Sequence, residues 1–499
     1  MKLRITILFA FIAISTCVFS QSTAGDSTFS SPVIHTVKLY FSQSNWWDSL
    51  VAYKPLDTMM LASVEIDGVY LDSVGAQFKG NSSYTGPGVK KPFKIDFNEY
   101  VSGQRYDGLK TINLNNGFGD PTLMREKLFL DFCRAAGIPA PRCTYANLYL
   151  NDSLWGLYTM VEQVNKTFLE DVFTNDAGNL FKGDAQGTLQ WYGSAQSSYY
   201  GKYELKTNET QNDWTDLVHL IDKINNTPSA NFYDSVDATM NTTAWIKGWA
   251  ANNIFVNLDS YLGSGHNYYI YHNTATSLFD YIVWDANEAF GKFNMGMTLS
   301  QLETMSMFYT SNPPSSRPLQ DKMMQNAFYR SEYISTICEM VTNYFSHGYF
   351  DSKIDSLYPL IKPSVYADPH KQFTNQNFED NINMAVLGNI PGLKSFITNR
   401  RNSLVAQLAA NSCVVGINEI ENSTPDISYY PNPASDFIVL ESSPLNKIIV
   451  YSVEGSVIKS LVISHSQKVT VDLKELSAGV YFLDCVGEKG TQKIKVVKY

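Results

Sequence analysis

Short apolar runs separated by turn residues fill the first half of the large domain, and longer runs at helical spacing close it. After an apolar segment at Val37–Phe41, the stretch from Gly75 to Phe97 reads as a strand, a small-residue loop over Gly80–Gly88, and a returning strand that carries Lys94. Asp120-Pro121 predicts a helix start, an acidic N-cap followed by proline, with Leu128, Phe129, Phe132 and Ala136 on one inward face. Gly137 and Pro139 predict its end. Asn147–Leu150 and Trp155–Val164 read as strands around a turn at Asn151-Asp152, the second running through Glu162 toward what looks like a hinge. Tyr268–Tyr271 is aromatic and β-branched, Asn273-Thr274 supplies turn chemistry, and Phe279–Trp284 reads as the returning strand. From Met295 to Asn411 the pattern is mainly helical, as in Gln320–Phe345 and Gly392–Leu408.

The two ends differ in kind from this body. Lys2 and Arg4 precede the apolar run Ile5–Ile14, and Ser15, Thr16 and Ser20 follow. That order predicts a secretory signal peptide over residues 1–20, cut after Ser20, with residues 21–35 as a linker. The apolar run is too short to span a bilayer, and no later one is longer. The large domain is placed at 36–412, a polar linker at 413–425, and a last domain at 426–499. Six short strands are expected in that last domain: Phe437–Leu440, Lys447–Ser452, Val457–Ile463, Lys468–Leu473, Val480–Cys485 and Lys493–Val497. With turns at Pro431-Asn432-Pro433 and Glu454-Gly455, they predict a small all-β sandwich.

Composition narrows the partners. Against 48 Asp and Glu the chain carries 38 Lys and Arg, which argues against nucleic acid or an anionic membrane as the main partner. Five cysteines follow the signal segment: Cys133, Cys143, Cys338, Cys413 and Cys485. None forms a metal-binding pattern. At most two disulfides fit, with Cys133–Cys143 expected on proximity.

The chemistry concentrates between Asn257 and Gly291. A hairpin there brings Asn267, at the start of one strand, close to Asp285, after the end of the next, with Asp259 on the loop leading in. Gly263, Gly265 and Gly291 read as hinges. Such an oxygen-rich cluster suits a magnesium nucleotide. The small-residue loop offers backbone amides to phosphates, Lys94 on the return strand can reach them, and Glu126 on the helix can pair with Lys94.

Two resemblances organise these pieces. Tyr430-Pro431-Asn432-Pro433-Ala434, Val450-Tyr451-Ser452-Val453-Glu454-Gly455, Leu476-Ser477-Ala478-Gly479-Val480-Tyr481-Phe482 and the basic close Lys493–Tyr499 resemble the C-terminal type A sorting domain of the type IX secretion system. That likeness implies the type IX machinery as a partner and a secreted or outer-membrane surface location. The second rests on a longer series: Lys79-Gly80-Asn81-Ser82-Ser83, Lys91-Pro92-Phe93-Lys94, Arg125-Glu126-Lys127-Leu128, Gly156-Leu157-Tyr158 with Val161-Glu162, Asn179–Lys182, Asn267-Tyr268-Tyr269 and Trp284-Asp285. Their order resembles the spore coat protein H (CotH) kinase family over about residues 36 to 410.

The resemblance implies an α+β chain. An atypical two-lobed protein-kinase-like domain would transfer phosphate from ATP, with Mg2+, to Ser or Thr of a protein substrate, and an immunoglobulin-like sandwich would follow. Asp259 then matches the catalytic-loop aspartate, and Asp285, assisted by Asn267, the metal site. Lys94 is the candidate phosphate lysine, with Lys79 and Lys91 as rivals. Glu126 is its partner, and Glu162 is the hinge residue on the nucleotide. No His-Arg-Asp precedes Asp259, Asn267 lies eight residues on rather than five, and no Asp-Phe-Gly occurs. These departures leave two other readings open: an inactive kinase fold that binds a polysaccharide or protein, and a glycoside hydrolase using Asp285 with Glu288 or Asp259.

Overall fold

Seven strands close on themselves in the computed structural model, which describes residues 23–30, 32–413, 427–452, 457–487 and 490–499. The expected signal peptide, nearly all of the 413–425 linker and the Glu454-Gly455 turn lie outside the described residues. The closed barrel comprises β1 (Ile34–Tyr40), β2 (Met60–Ile66), β3 (Val69–Phe78), β4 (Phe93–Asp96), β5 (Thr111–Asn115), β6 (Cys143–Leu150) and β7 (Ser153–Glu162), in the order β1-β2-β3-β4-β5-β7-β6. Val37, Val64, Phe78, Phe93, Leu114 and Met160 fill its interior. β1 closes the ring by pairing in parallel with β6, Ile34 opposite Tyr145, while its other edge pairs antiparallel with β2. Closure leaves no bare sheet edge.

The segment before β1, expected as a linker, is part of this structure. Thr28 donates from its backbone N and from Oγ1 to Asp107 Oδ2, each at 2.8 Å, and Arg142 donates to Asp26 at 3.0 Å.

Between β5 and β6 the Arg125–Ala135 helix starts four residues later than the Asp120-Pro121 signal predicts. The Asp120 carboxylate folds a turn instead. It accepts from Thr122 N and Oγ1 at 2.9 and 2.7 Å, and from the first helical amide, Arg125 N, at 2.9 Å. Asp120 thus caps the helix from a distance, and also pairs with the buried Arg125 guanidinium. The C-terminal end is as predicted, with Gly137 at φ 69°.

A second core surrounds a four-stranded sheet, β8 (Leu180–Gly183), β9 (Tyr203–Leu205), β10 (Tyr268–Asn273) and β11 (Leu278–Val283), in the order β11-β10-β8-β9. The Thr242–Ile254 helix packs between β11 and the Ala327–Asn343 helix. The long helix expected over Gln320–Phe345 breaks at Asn326, whose side chain caps Ala327–Asn343 by accepting from Phe328 N at 2.9 Å. Cys338 in that helix is bonded to Cys413, just past the Leu393–Ala409 helix. Cys133 and Cys143 are free and buried, contrary to the proximity expectation. One lies on a helix and the other opens β6, both packed among apolar side chains, and burial raises both thiol pKa values. The barrel loop joins the helical part through Lys90, whose Nζ lies 2.5 Å from Asp368 Oδ2, both side chains being buried. No helix among the described residues is long and apolar enough to cross a membrane.

The chain divides into two compact units, 1–415 and 416–499. The second holds β12 (Ser428–Tyr430), β13 (Phe437–Tyr451), β14 (Val457–Asp472), β15 (Gly479–Gly487) and β16 (Gly490–Lys498). The first four expected short strands are therefore two long ones, β13 and β14. Register shifts between Glu441 and Lys447 take up the interruption that the sequence pattern suggests. Pairing joins all five strands into one continuous antiparallel network, and Ile438, Leu440, Ile448, Val450, Leu483 and Val496 bury in a core of its own.

Candidate functional site

β10 and β11 pair from Tyr268↔Val283 to Asn273↔Leu278, so Asn267 and Asp285 project from the same end of the hairpin. Both adopt left-handed backbone, at φ 59° and 54°, a conformation that Asn and Asp tolerate better than other side chains. Trp245, Trp249, Tyr261, Tyr268 and Tyr281 pack ring on ring beneath the hairpin and make it rigid.

The loop leading in is pinned by its carbonyls. Buried Arg317 donates to Tyr261 O at 2.6 Å and to Gly263 O, and Ser311 Oγ donates to Leu262 O at 2.8 Å. A Cβ on Gly263 would lie 2.1 Å from Leu258 O, so glycine here permits a close backbone approach. It is a fixed point, not the expected hinge. The loop carries Asp259 to two donors. His266 Nε2 lies 3.0 Å from Oδ1, and Asn267 Nδ2 donates to Oδ2 at 2.9 Å and to the Asp259 carbonyl at 3.0 Å. Burial opposes a charge on His266, but the Asp259 hydrogen bond and charge prevail and raise its pKa.

Facing the hairpin is the outer wall of the barrel, and a cleft of about 400 Å³ lies between them. Because Phe78, Phe93 and Leu114 point inward, their neighbours point out. Gln77, Lys94 and Asn113 stand opposite one another on β3, β4 and β5 as one row. Lys79 and Asn115, two residues further along, begin the next. Lys79 Nζ donates to Asn115 Oδ1 at 2.9 Å, and Asn115 Nδ2 donates to both Glu126 oxygens at 2.9 and 3.0 Å.

Lys79 also sits 5.3 Å from the Trp284 ring centre. Burial lowers its pKa to about 8, against the pull of Asp285 and Glu126. Burial, then the charge of Asp285, pushes Glu126 up to about 7. Asp285 is also raised, by burial foremost, with Lys79 opposing and Asp259 adding to the rise.

The expected residues are therefore sorted differently from the sequence reading. Lys79, Lys94 and Asp285 line the cleft, Glu126 stands behind Asn115, and Asp259 and Asn267 sit beside it on the loop. Among the described residues Lys94 makes no ion pair with Glu126; the lysine connected to that carboxylate is Lys79. Lys91 is taken up by its own loop, donating to Gly86 O at 2.8 Å. Glu162 is not in the cleft. It ends β7 as a buried partner of Arg142, 2.5 Å away, and its neighbour Gln163 faces the cleft instead. Motif reading did not single out Asn115, His266 or Gln163, and gave Lys182 no role although it ends the Asn179–Lys182 motif. Strand alternation outward from Phe78, Phe93 and Leu114 could have found Asn115.

Among the described residues no three His, Cys, Asp or Glu side chains are grouped to hold a metal. Magnesium does not require such a cage, since it takes one or two carboxylates and completes its octahedron with water and phosphate oxygens. The Asp285 carboxylate accepts no hydrogen bond from the described residues. Asn267 Oδ1 is likewise unengaged, its amide nitrogen being committed to Asp259. Hard oxygen donors in a cleft lined by five lysines, Lys54, Lys79, Lys94, Lys182 and Lys206, fit a metal that arrives with phosphate.

Residues 76–404 match the family described as CotH kinase protein, and residues 428–499 match the secretion system C-terminal sorting domain. Inner spore coat protein H of Bacillus subtilis (strain 168) is 26% identical over 353 residues, covering 69% of this chain and 90% of that protein. Two solved structures show a faint likeness. One is the Shewanella oneidensis MR-1 toxin–antitoxin complex of HipA, HipB and operator DNA, with a TM-score of 0.31, 10% identity and coverage of 68% and 67% of the two chains. The other is the Helicobacter pylori proinflammatory kinase CtkA, with a TM-score of 0.26, 8% identity and coverage of 64% and 93%. At these scores neither carries weight here.

Proposed function

The chain belongs to the CotH kinase family, and from that membership we propose an atypical, two-lobed protein kinase. It transfers the terminal phosphate of ATP to Ser or Thr of an exported or surface protein, with magnesium. The observation that carries this reading is the line Lys79–Asn115–Glu126 facing the unengaged Asp285 across a lysine-lined cleft. In ordinary protein kinases a strand lysine pairs with a helix glutamate and holds nucleotide phosphates. Here β5, the strand that leads to the glutamate helix, offers Asn115, and the cation comes from Lys79 at the foot of the loop.

Each side chain then has a task. Lys79 and Lys182 hold phosphate oxygens. Asp285 and the Asn267 carbonyl oxygen hold magnesium, which when bound neutralises phosphate charge. Asp259, gripped at both oxygens by His266 and Asn267, orients the acceptor hydroxyl and accepts its proton. Trp284 and the hairpin core limit reorganisation. The sorting-domain match at 428–499 supports export through the type IX machinery. The Cys338–Cys413 disulfide supports a life outside the reducing cytoplasm.

Metal-dependent ATP binding separates these roles. Asp285→Asn should abolish the dependence of ATP affinity on magnesium, and Asp259→Asn should bind ATP with magnesium as the wild type does. Calorimetric titration of both variants is the check, and equal magnesium dependence in wild type and Asp285→Asn would sink the assignment.

A further inference from the structure

A second cavity, of about 340 Å³, lies against the Arg125–Ala135 helix and shares no lining residue with the cleft. Three other elements wall it: the segment before β1, the start of β6, and the His347–Ala367 helix. Lys127, Asp131 and Arg134 occupy positions i, i+4 and i+7 of the first helix and so share one face. Lys353 reaches them from the second helix, its Nζ 3.8 Å from Asp131 Oδ2. The charges there do not balance. Asp131 serves both Lys127, at 2.9 Å, and Lys353. Arg134 makes no ion pair and no side-chain hydrogen bond with the described residues. A fourth cation on the wall, Arg142, is already matched. Glu162 lies 2.5 Å from it, Asp26 3.0 Å and Asp171 3.8 Å, and none of the three lines the cavity. Lys127, Arg134 and Lys353 therefore share a single lining carboxylate, which leaves two positive charges over. Lys127 is 8% exposed, so solvent screens it poorly from the other two.

We propose that this cavity binds the phosphate of a small phosphomonoester through Lys127, Arg134 and Lys353. Near neutral pH such a group carries close to two negative charges and offers three strong acceptor oxygens. Both match the wall: two charges in surplus and three cationic donors. The planar fork of Arg134 and the compact ammonium groups of the lysines are the side chains that take phosphate oxygens best. Phe29, Tyr349 and Leu357 supply apolar wall for a short organic group. The volume lies at the small end for ligand pockets, which suits a single ester rather than a polymer. Two sources share this chemistry. One is a free phosphomonoester. The other is Ser30, which is exposed and lines the cavity itself. Its Oγ would take a phosphoryl group from a nucleoside triphosphate and give up its proton, the diphosphate leaving.

The test is calorimetric titration of the full chain with O-phosphoserine and with inorganic phosphate, at a pH well above the second phosphate pKa of about 6. Arg134→Gln and Lys353→Gln, both at accessible side chains, should each weaken binding about tenfold, the loss of one charge-assisted contact. Asp131→Asn should strengthen it about threefold or more, because a carboxylate no longer competes with the anion. Lys182→Gln, in the cleft, should leave this binding unchanged. Thermal unfolding without ligand verifies that all four variants fold. Phosphoserine installed at Ser30 by genetic encoding separates the sources. Loss of binding to both free probes, with a raised Tm, assigns the occupant to the segment before β1, and undiminished binding assigns it to a free ester. Failure of the wild type to bind either probe overturns the proposal. So does binding that Lys182→Gln abolishes and that the Arg134 and Lys353 variants retain, since the phosphate would then sit in the cleft.

Discussion

Lys79 and Glu126 are displaced from their ordinary protonation ranges in opposite directions and are joined through Asn115. Glu126 rises from 4.5 to about 7, so the folded protein holds a proton that the unfolded chain has released over that interval. Its contribution is therefore full below about 4.5 and lost as pH rises toward 7. Lys79, lowered from 10.5 to about 8, acts oppositely: its contribution is present above 10.5 and lost as pH falls through 8. The pair weighs most heavily on ligand-free stability between about 7 and 8, where both are charged. Glu126→Gln should flatten the decline in Tm between pH 4.5 and 7, and a thermal-unfolding series with the same slope in both proteins would contradict this.

The same residues show what sequence can reveal at this scale. Asp259, Asn267 and Asp285 were visible because a hairpin register relates them locally. The choice between Lys79 and Lys94 was not, because both point outward and only the crossing of a distant helix decides which one meets Glu126. Glu162 and Gln163 are adjacent in the chain and face opposite ways, and a one-residue error there exchanges a cleft residue for an Arg142 ion pair.

At the level of elements, alternating strands and the helix C-terminus were legible. The parallel pairing of β1 with β6 was not, since it joins residues more than a hundred positions apart and leaves no local signature. The late start of the Arg125–Ala135 helix was hidden for a different reason. Asp120 satisfies the ordinary N-cap pattern, yet its carboxylate serves a turn and an amide five residues on. In the tail, polar residues between apolar runs read as turns, where the structure passes through register shifts within single long strands.

One interaction links the barrel loop to the helical part with a measurable effect. Asp368 accepts from Lys90 at 2.5 Å, Leu157 N at 3.0 Å and His370 N at 2.8 Å. Asp368→Ala leaves Lys90 buried without a counter-charge and should lower stability by about 3–5 kcal/mol. Replacing both partners, Lys90→Met with Asp368→Leu, should recover much of that loss. Denaturant unfolding of both variants distinguishes the cases, and a single variant as stable as wild type would show that the pair does not hold these elements together.

Across the whole molecule, the division into units 1–415 and 416–499 follows the composition change seen near residue 413. The family match at 76–404 and the sorting-domain match at 428–499 fall one in each. Among the described residues before β1, Thr28 bonds to Asp107 and Asp26 to Arg142, contacts that no local sequence pattern announces. The CotH kinase match lies in the first unit, and the phosphotransfer proposed above belongs to its cleft. The most direct measurement is transfer of label from γ-labelled ATP, with magnesium, to Ser or Thr of a casein-type acceptor or of the chain itself. Wild type should yield phosphoserine or phosphothreonine, and Asp259→Asn, Asp285→Asn and Lys79→Ala none. Absence of transfer by a wild-type protein that is folded and supplied with magnesium, or transfer that survives all three substitutions, would contradict it.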